Sequence, residues 1–265
     1  MKRFVAVAAV AAGLFAAGAA QAATVLITGS NRGLGLEFAT QYAAKGWDVI
    51  ATSRSPADDE DLQALAAKHK NVTIEQLDVT DTAEINALAA KYKGRPIDLL
   101  LNNAGILGGG PDQSLGNFSQ SRFHQVMDVN VFGALAVSEA FRENVIASEG
   151  KKIISLTSGL GSIAGAGGMP NAPYYYRISK AGLNMAMRAL GGDLRAKGVT
   201  VGVVAPGTVE TDMLDEVNEQ FFAKMNLPSI EPEESISKLI DVIAALTPAN
   251  AAKGISNYDG SVMPW

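Results

Sequence analysis

Short runs of β-branched and aliphatic residues alternate along the chain with longer stretches in which Ala and Leu recur at helical spacing. The runs Thr24–Thr28, Asp48–Ser53, Val72–Leu77, Ile97–Leu101, Lys152–Thr157, Val199–Ala205 and Ile255–Tyr258 read as strands. They lack strict polar alternation, which suits strands covered on both faces by helices. The segments Gly35–Lys45, Asp59–His69, Thr82–Lys91, Gln120–Ala147 and Pro173–Lys197 read as helices. Asp81, with Glu84 three residues on, is placed to cap the third of these, and Gly198 sits where the last would stop. The alternation predicts a single doubly wound α/β domain over residues 23–265, with seven strands in a mainly parallel sheet. Gly105–Ser121 and Asp212–Pro232 read as loops beside the carboxyl ends of strands, the edge at which such sheets bind ligands.

The first residues break this pattern. Lys2 and Arg3 precede an apolar stretch from Phe4 to Ala20, and Ala20-Gln21-Ala22 has the small-x-small form of a cleavage site. The segment 1–22 therefore reads as a cleavable signal peptide, which implies an exported, periplasmic protein. The alternative is an uncleaved leader on a cytoplasmic or membrane-tethered chain, although the apolar run is shorter than the ~20 residues of a usual span. The formal net charge of -5 argues against a nucleic-acid partner. The chain has no Cys and 2 His, so thiolate or histidine-rich metal centres are not expected.

The first strand runs into Thr28-Gly29-Ser30-Asn31-Arg32-Gly33-Leu34-Gly35. Glycines at these positions permit a tight turn whose backbone approaches a diphosphate at the start of the next helix, as in Rossmann-type nucleotide sites. Arg32 in this turn and Arg54 after the second strand could approach an adenosine ribose, where a 2'-phosphate needs positive charge. Ala51-Thr52-Ser53 offers no acidic partner for a free 2'-hydroxyl, so NADP(H) is expected in preference to NAD(H). The competing reading makes both arginines solvated partners of Asp58, Asp59 or Glu60. Farther along, Tyr176 and Lys180 are four residues apart and share a helix face. The lysine cation would draw the phenol, whose ordinary pKa is about 10, toward working pH for proton transfer. Tyr174 and Tyr175 have Ile178 and Ser179 at the matching positions, so Tyr176 is the catalytic choice.

The ordered set TGxxxGxG, Asn102-Asn103-Ala104-Gly105, and Tyr176-x-x-x-Lys180 resembles the short-chain dehydrogenase/reductase family over nearly the whole chain after residue 22. Asp78-Val79, Asn130, Ser158 and Pro206-Gly207-Thr208-Val209-Glu210-Thr211 extend the match, and Asn257-Tyr258-Asp259-Gly260 with Pro264-Trp265 is similar to its C-factor-like carbonyl reductase branch. The resemblance implies an NADP(H)-dependent oxidoreductase acting on a small carbonyl or alcohol substrate. Its implied catalytic set is Asn130, Ser158, Tyr176 and Lys180, with Ser158 orienting the carbonyl, Tyr176 moving the proton, Lys180 also holding the nicotinamide ribose, and Asn130 supporting a water relay. Ser155 and Ser162 are alternatives to Ser158, and Asn130 reads equally as a buried structural amide.

By the same resemblance, the cofactor would meet Gly29, Asn31, Arg32, Gly33, Leu34, Gly35, Arg54, Asp78, Val79, Asn103, Ala104, Gly105, Tyr176, Lys180, Pro206, Gly207, Val209 and Thr211. It also suggests a homodimer or homotetramer through two long helices, although Phe132, Leu135 and Phe141 fit an internal core as well. Met213, Leu214, Phe221, Phe222 and Met225 read either as the lining of an apolar substrate pocket or as core. The other class of function that the sequence permits is a catalytically silent dinucleotide-sensing or interaction protein on the same fold. A nucleotide-sugar epimerase is disfavoured by the glycine spacing and by the short region after Thr211.

Overall fold

A computed structural model describes residues 22–168, 173–221 and 228–265. The leader, apart from Ala22, lies outside the described residues, as do Phe222 and Met225.

The strands are β1 (Thr24–Ile27), β2 (Asp48–Ser53), β3 (Val72–Gln76), β4 (Leu99–Asn102), β5 (Lys152–Leu156), β6 (Thr200–Ala205), β7 (Ile255–Asn257) and β8 (Val262–Met263). They form one sheet in the order β3-β2-β1-β4-β5-β6-β7-β8, parallel except for the last pair. The eighth strand was not expected from the sequence. At two residues it is too short to carry a period, and only its pairing with β7 defines it. The strand order reverses between β1 and β4, so their loops part at the carboxyl edge and open a crevice there.

Helices cover both faces. The helices are α1 (Gly33–Ala44), α2 (Glu60–Lys68), α3 (Thr82–Lys91), α4 (Gln120–Met127), α5 (Ala134–Ile146), α6 (Tyr174–Leu194), α7 (Asp212–Gln220), α8 (Pro232–Ala245) and α9 (Pro248–Ala251). Phe38 of α1, Leu62 of α2 and Leu239 of α8 pack on one face of the sheet. Ile85 of α3, Phe141 of α5 and Leu183 of α6 pack on the other. Phe141 is core, whereas Phe132 is 52% exposed. Among the described residues no helix is long and apolar enough to cross a membrane.

Three expectations change in detail. The helix predicted over Gln120–Ala147 is interrupted by a π-helical stretch, Asp128–Gly133, which a 3.6-residue period cannot signal. Asp212–Pro232 is not all loop: Thr211 accepts a bond from the Leu214 N–H and starts α7. Asp81 caps α3 through the N–H groups of Ala83 and Glu84, but Glu84 reaches past it to the Asp78 N–H at 2.6 Å. Gly198 ends the extension of α6 at φ 75°.

Glycines within the helical segments divide by what surrounds them. A Cβ on Gly133 would come 2.9 Å from the Val79 carbonyl oxygen, whereas one on Gly192 in α6 would meet nothing within 4 Å. Gly133→Ala should therefore destabilise the protein by about 1–3 kcal/mol, and Gly192→Ala should stabilise it by about 0.5–1 kcal/mol. Urea unfolding of both variants reads the two signs, and equal effects would contradict this account of the packing.

Candidate active site

The turn after β1 is packed directly onto the loop after β4. Gly29 has φ 67°, and a Cβ there would lie 3.0 Å from Ala104 Cα. A Cβ on Gly35 would lie 2.0 Å from the Gly29 carbonyl oxygen, so neither position admits a side chain. Asn103 fastens the two loops: its Nδ2 donates to the carbonyls of Thr28 at 2.9 Å and Gly29 at 2.8 Å. Thr28 Oγ1 accepts in return from the N–H groups of Asn103 and Ala104, both at 3.0 Å. Gly33, at φ 53°, faces open space. There α1 begins with no capping side chain and no acidic residue in its first turn. Free N–H groups at the positive end of a helix, beside a glycine with nothing in front of it, fit a diphosphate.

These loops border a cleft of about 1680 Å³ along the carboxyl edge of the sheet. All the residues assigned to the cofactor, from Gly29 to Thr211, lie on its wall, as do Ser158, Tyr176 and Lys180. Asn130 does not line it. The Asn130 side chain is buried in the π-helical stretch, accepting from the Ile106 N–H at 2.8 Å and donating to the Ile106 carbonyl and Ser179 Oγ, both at 2.9 Å. Ser179 Oγ in turn donates to the Tyr176 carbonyl at 2.8 Å. Asn130 thus joins the loop after β4 to the turn of α6 that carries Tyr176 and Lys180.

On that turn, Lys180 is 4% exposed, and its Nζ donates to the Leu156 carbonyl at 2.8 Å, 5.5 Å from the centre of the Tyr176 ring. Burial penalises the charged form of both groups. It lowers Lys180 to about 8 and raises Tyr176 to about 12, although a hydrogen bond from Ser158 pulls the phenol the other way. The downward pull expected from Lys180 on sequence spacing is not among these causes: the lowering influence is the Ser158 bond, and desolvation outweighs it. Ser158 follows β5 and heads a short 3-10 turn, its Oγ accepting from the Leu160 N–H at 3.2 Å. Its two alternatives are engaged elsewhere: Ser155 is buried in β5 beside Asn102, and Ser162 Oγ donates to the Pro264 carbonyl. Tyr175 is buried with its hydroxyl accepting from the Ser119 N–H, and the half-exposed Tyr174 packs against Phe118.

At the far end of the cleft the arginines are not the solvated partners of Asp58, Asp59 or Glu60 that the competing reading expected. Arg32 pairs at 2.8 Å with Asp212 at the start of α7, not with an acid of the β2–α2 loop. Arg54 is exposed on the cleft wall with no ion pair among the described residues. Asp59 instead accepts from Asn31 Nδ2 at 3.2 Å and from Ser53 Oγ. An acid therefore does reach the end of β2, from six residues beyond Ser53 rather than from the strand itself. Asp78 uses one oxygen to accept from the Thr80 N–H and hydroxyl, at 2.8 and 2.7 Å. Gly207, at φ 82°, lies so close to the Tyr258 ring that a Cβ would come within 2.8 Å.

Around Tyr176 the cleft is apolar. Leu107 and Val217 are buried against its ring, with Leu160, Met213 and Phe221 packed beside them. Sequence patterning singled out Met213 and Phe221 but missed Leu107 and Val217. Their only signal was an apolar residue in a glycine-rich loop and a helix that was read as loop.

A glycine cradle at the switch point, with a buried Tyr-Lys pair and a serine along the same cleft, defines a nucleotide-dependent oxidoreductase site. The family model for short chain dehydrogenase matches residues 23–221. An uncharacterized oxidoreductase of Schizosaccharomyces pombe is 32% identical over 254 residues, covering 90% of this chain and 96% of that protein. The structure of an NADPH-bound carbonyl reductase from chicken fatty liver superposes with a TM-score of 0.80 at 30% identity, over 92% of this chain and 100% of that one. The carbonyl reductase Sniffer of Drosophila melanogaster gives 0.78 at 26% identity over the same shares. The chain belongs to the short-chain dehydrogenase/reductase family and is an enzyme resembling its carbonyl reductases.

The lowered pKa of Lys180 has a sign that stability can read. Between about 8 and the ordinary lysine value of 10.5 the unfolded chain binds a proton at this lysine that the folded chain does not. Its contribution to stability therefore rises with pH through that window. Urea unfolding from pH 7.5 to 9.5 should show a rise that Lys180→Met reduces, and an identical slope in the variant would contradict the assignment.

Proposed function

We propose that this enzyme reversibly reduces an aldehyde or ketone with NADPH, Tyr176 acting as general acid in reduction and general base in oxidation. The observation that carries this reading is the meeting of Tyr176, Lys180 and Ser158 in one cleft, between the glycine cradle and the apolar cluster of Leu107 and Val217. Bound along this cleft, a reduced nicotinamide supplies hydride to the carbonyl carbon. As hydride arrives, negative charge gathers on the carbonyl oxygen, which needs donors.

Ser158 Oγ accepts from the Leu160 N–H, so the proton it directs at the Tyr176 oxygen can turn to the carbonyl oxygen when substrate enters between them. Tyr176, with a pKa raised to about 12, holds the proton that the oxygen takes up. Lys180 carries its charge below about 8, stabilises the phenolate left behind, and has ammonium protons beyond the Leu156 bond for a ribose hydroxyl. Asn130 acts as a positioning residue through Ile106 and Ser179.

Preference for NADP(H) is supported by Arg32 and Arg54 on the cleft wall and by the NADPH-bound relative. The Asp59 carboxylate opposes it at the same corner. Export is a separate inference, supported by Lys2, Arg3, the apolar stretch and Ala20-Gln21-Ala22. An intact Met1 on a cytoplasmic product would overturn it.

Two experiments test the reaction. Purified protein with NADPH and a panel of carbonyl compounds should consume cofactor, and Tyr176→Phe should lower kcat by about 10²–10⁴ with NADPH binding unchanged. Binding without turnover across the panel would indicate a dinucleotide sensor. Arg54→Ala should weaken NADPH on the order of tenfold more than NADH. Equal losses for both cofactors would remove the arginine from the phosphate.

A further inference from the structure

The loop that carries Ser158 contains Gly159, Gly161, Gly165, Gly167 and Gly168, and within itself it is held by the short 3-10 turns Gly159–Gly161 and Ala166–Gly168 and a few local bonds. It is gripped from two sides. On the first, α6 holds it: a Cβ on Gly161 would come 2.8 Å from Lys180 Cβ, so the loop backbone lies directly on the catalytic turn. Asn184, one turn farther along α6, donates to the Gly161 carbonyl at 3.2 Å and accepts from Thr157 Oγ1 at 2.7 Å.

The second grip comes from the tail after β7. Ser162 Oγ donates to the Pro264 carbonyl at 2.8 Å, and the Ala164 N–H donates to the Trp265 carbonyl at 3.0 Å. Met263 Sδ lies 3.6 Å from the position a Cβ of Gly159 would take, and Met263 lines the cleft beside Ser158 and Leu160. The tail is itself anchored. Met263 pairs with Ile255 of β7, and its carbonyl sits against Gly254, where a Cβ would come within 2.3 Å. Trp265 is half-buried against the core beneath α6, with the Arg188 guanidinium of that helix 5.3 Å from its ring centre. One helix therefore presents Tyr176 and Lys180 and also seats the tail that braces the serine loop.

We propose that Met263, Pro264 and Trp265 form a positioning clamp for Ser158, holding its hydroxyl in register with Tyr176 and setting turnover rather than cofactor affinity. This rests on the role given to Ser158 above. A hydroxyl that must meet a carbonyl oxygen tolerates only about 0.5 Å of displacement, and a glycine-rich loop cannot supply that precision alone.

The test compares the full chain with one lacking residues 264–265 and with the milder Ser162→Ala, using NADPH and 4-nitrobenzaldehyde. The expected result for the deletion is a kcat lower by about 10- to 100-fold, NADPH affinity unchanged, and faster amide hydrogen exchange across residues 159–166, with Ser162→Ala showing a smaller change of the same kind. Unchanged exchange and kcat in both variants would overturn the proposal. So would a parallel loss of NADPH affinity, kcat and melting temperature in Ser162→Ala, which marks a general structural role. A full chain that turns over no carbonyl compound overturns the proposed reaction and with it the clamp's effect on turnover, whereas unchanged exchange in an active enzyme overturns the clamp alone.

Discussion

The bond from Lys180 to the Leu156 carbonyl ties α6 to the end of β5, and much of the candidate site depends on it. It places an ammonium where water does not reach, at a desolvation cost that one carbonyl offsets only in part. The ammonium is consequently a stronger acid than that of a solvated lysine and a ready counter-charge for anything anionic that forms beside it. The neighbouring phenol answers to the same low-dielectric surroundings and keeps its proton. In the proposed reaction, the two groups would thus be set up for a charge-separated state favoured only as the phenol gives up its proton, which is how a site favours a transition state over its ground state.

The nucleotide end is built differently, from backbone and not from buried charge. Asn103 spends its amide on the glycine turn, so its contribution to ligand binding is to make the cradle rigid. The ion pair of Arg32 with Asp212 joins this turn to α7 across the cleft. Both side chains are largely solvated, so their attraction is small and easily exchanged for another anion. The substrate-side helix and the nucleotide turn therefore share one arginine.

Much of this was legible in the chain itself. Strand runs such as Thr200–Ala205, buried at every position, leave an apolar signature that needs no tertiary information. Tyr176 and Lys180 face the same way because helix geometry dictates it. Features that depend on partners far away in sequence were not legible. Asp59 reaches Ser53 and Asn31 only through the fold, β8 exists only by pairing with β7, and the direction of the tyrosine shift depends on burial, which spacing does not report. Thr211 could have betrayed α7, since a threonine ahead of Asp212 and Asp215 is a recognisable helix start.

The π-helical stretch Asp128–Gly133 also changes how α5 meets the sheet. Each α-helical residue turns the helix by about 100°, and a π-type insertion adds one residue without adding a full step of rise. Phe132, within the stretch, faces solvent, and Phe141, farther along on α5, is core. The stretch that holds Asn130 against Ile106 runs without a break into α5, whose Val137, Phe141 and Val145 are core. Loss of a single residue in this stretch would rotate α5 by about 100° relative to α4, so site geometry and core packing at this helix are inherited as one unit.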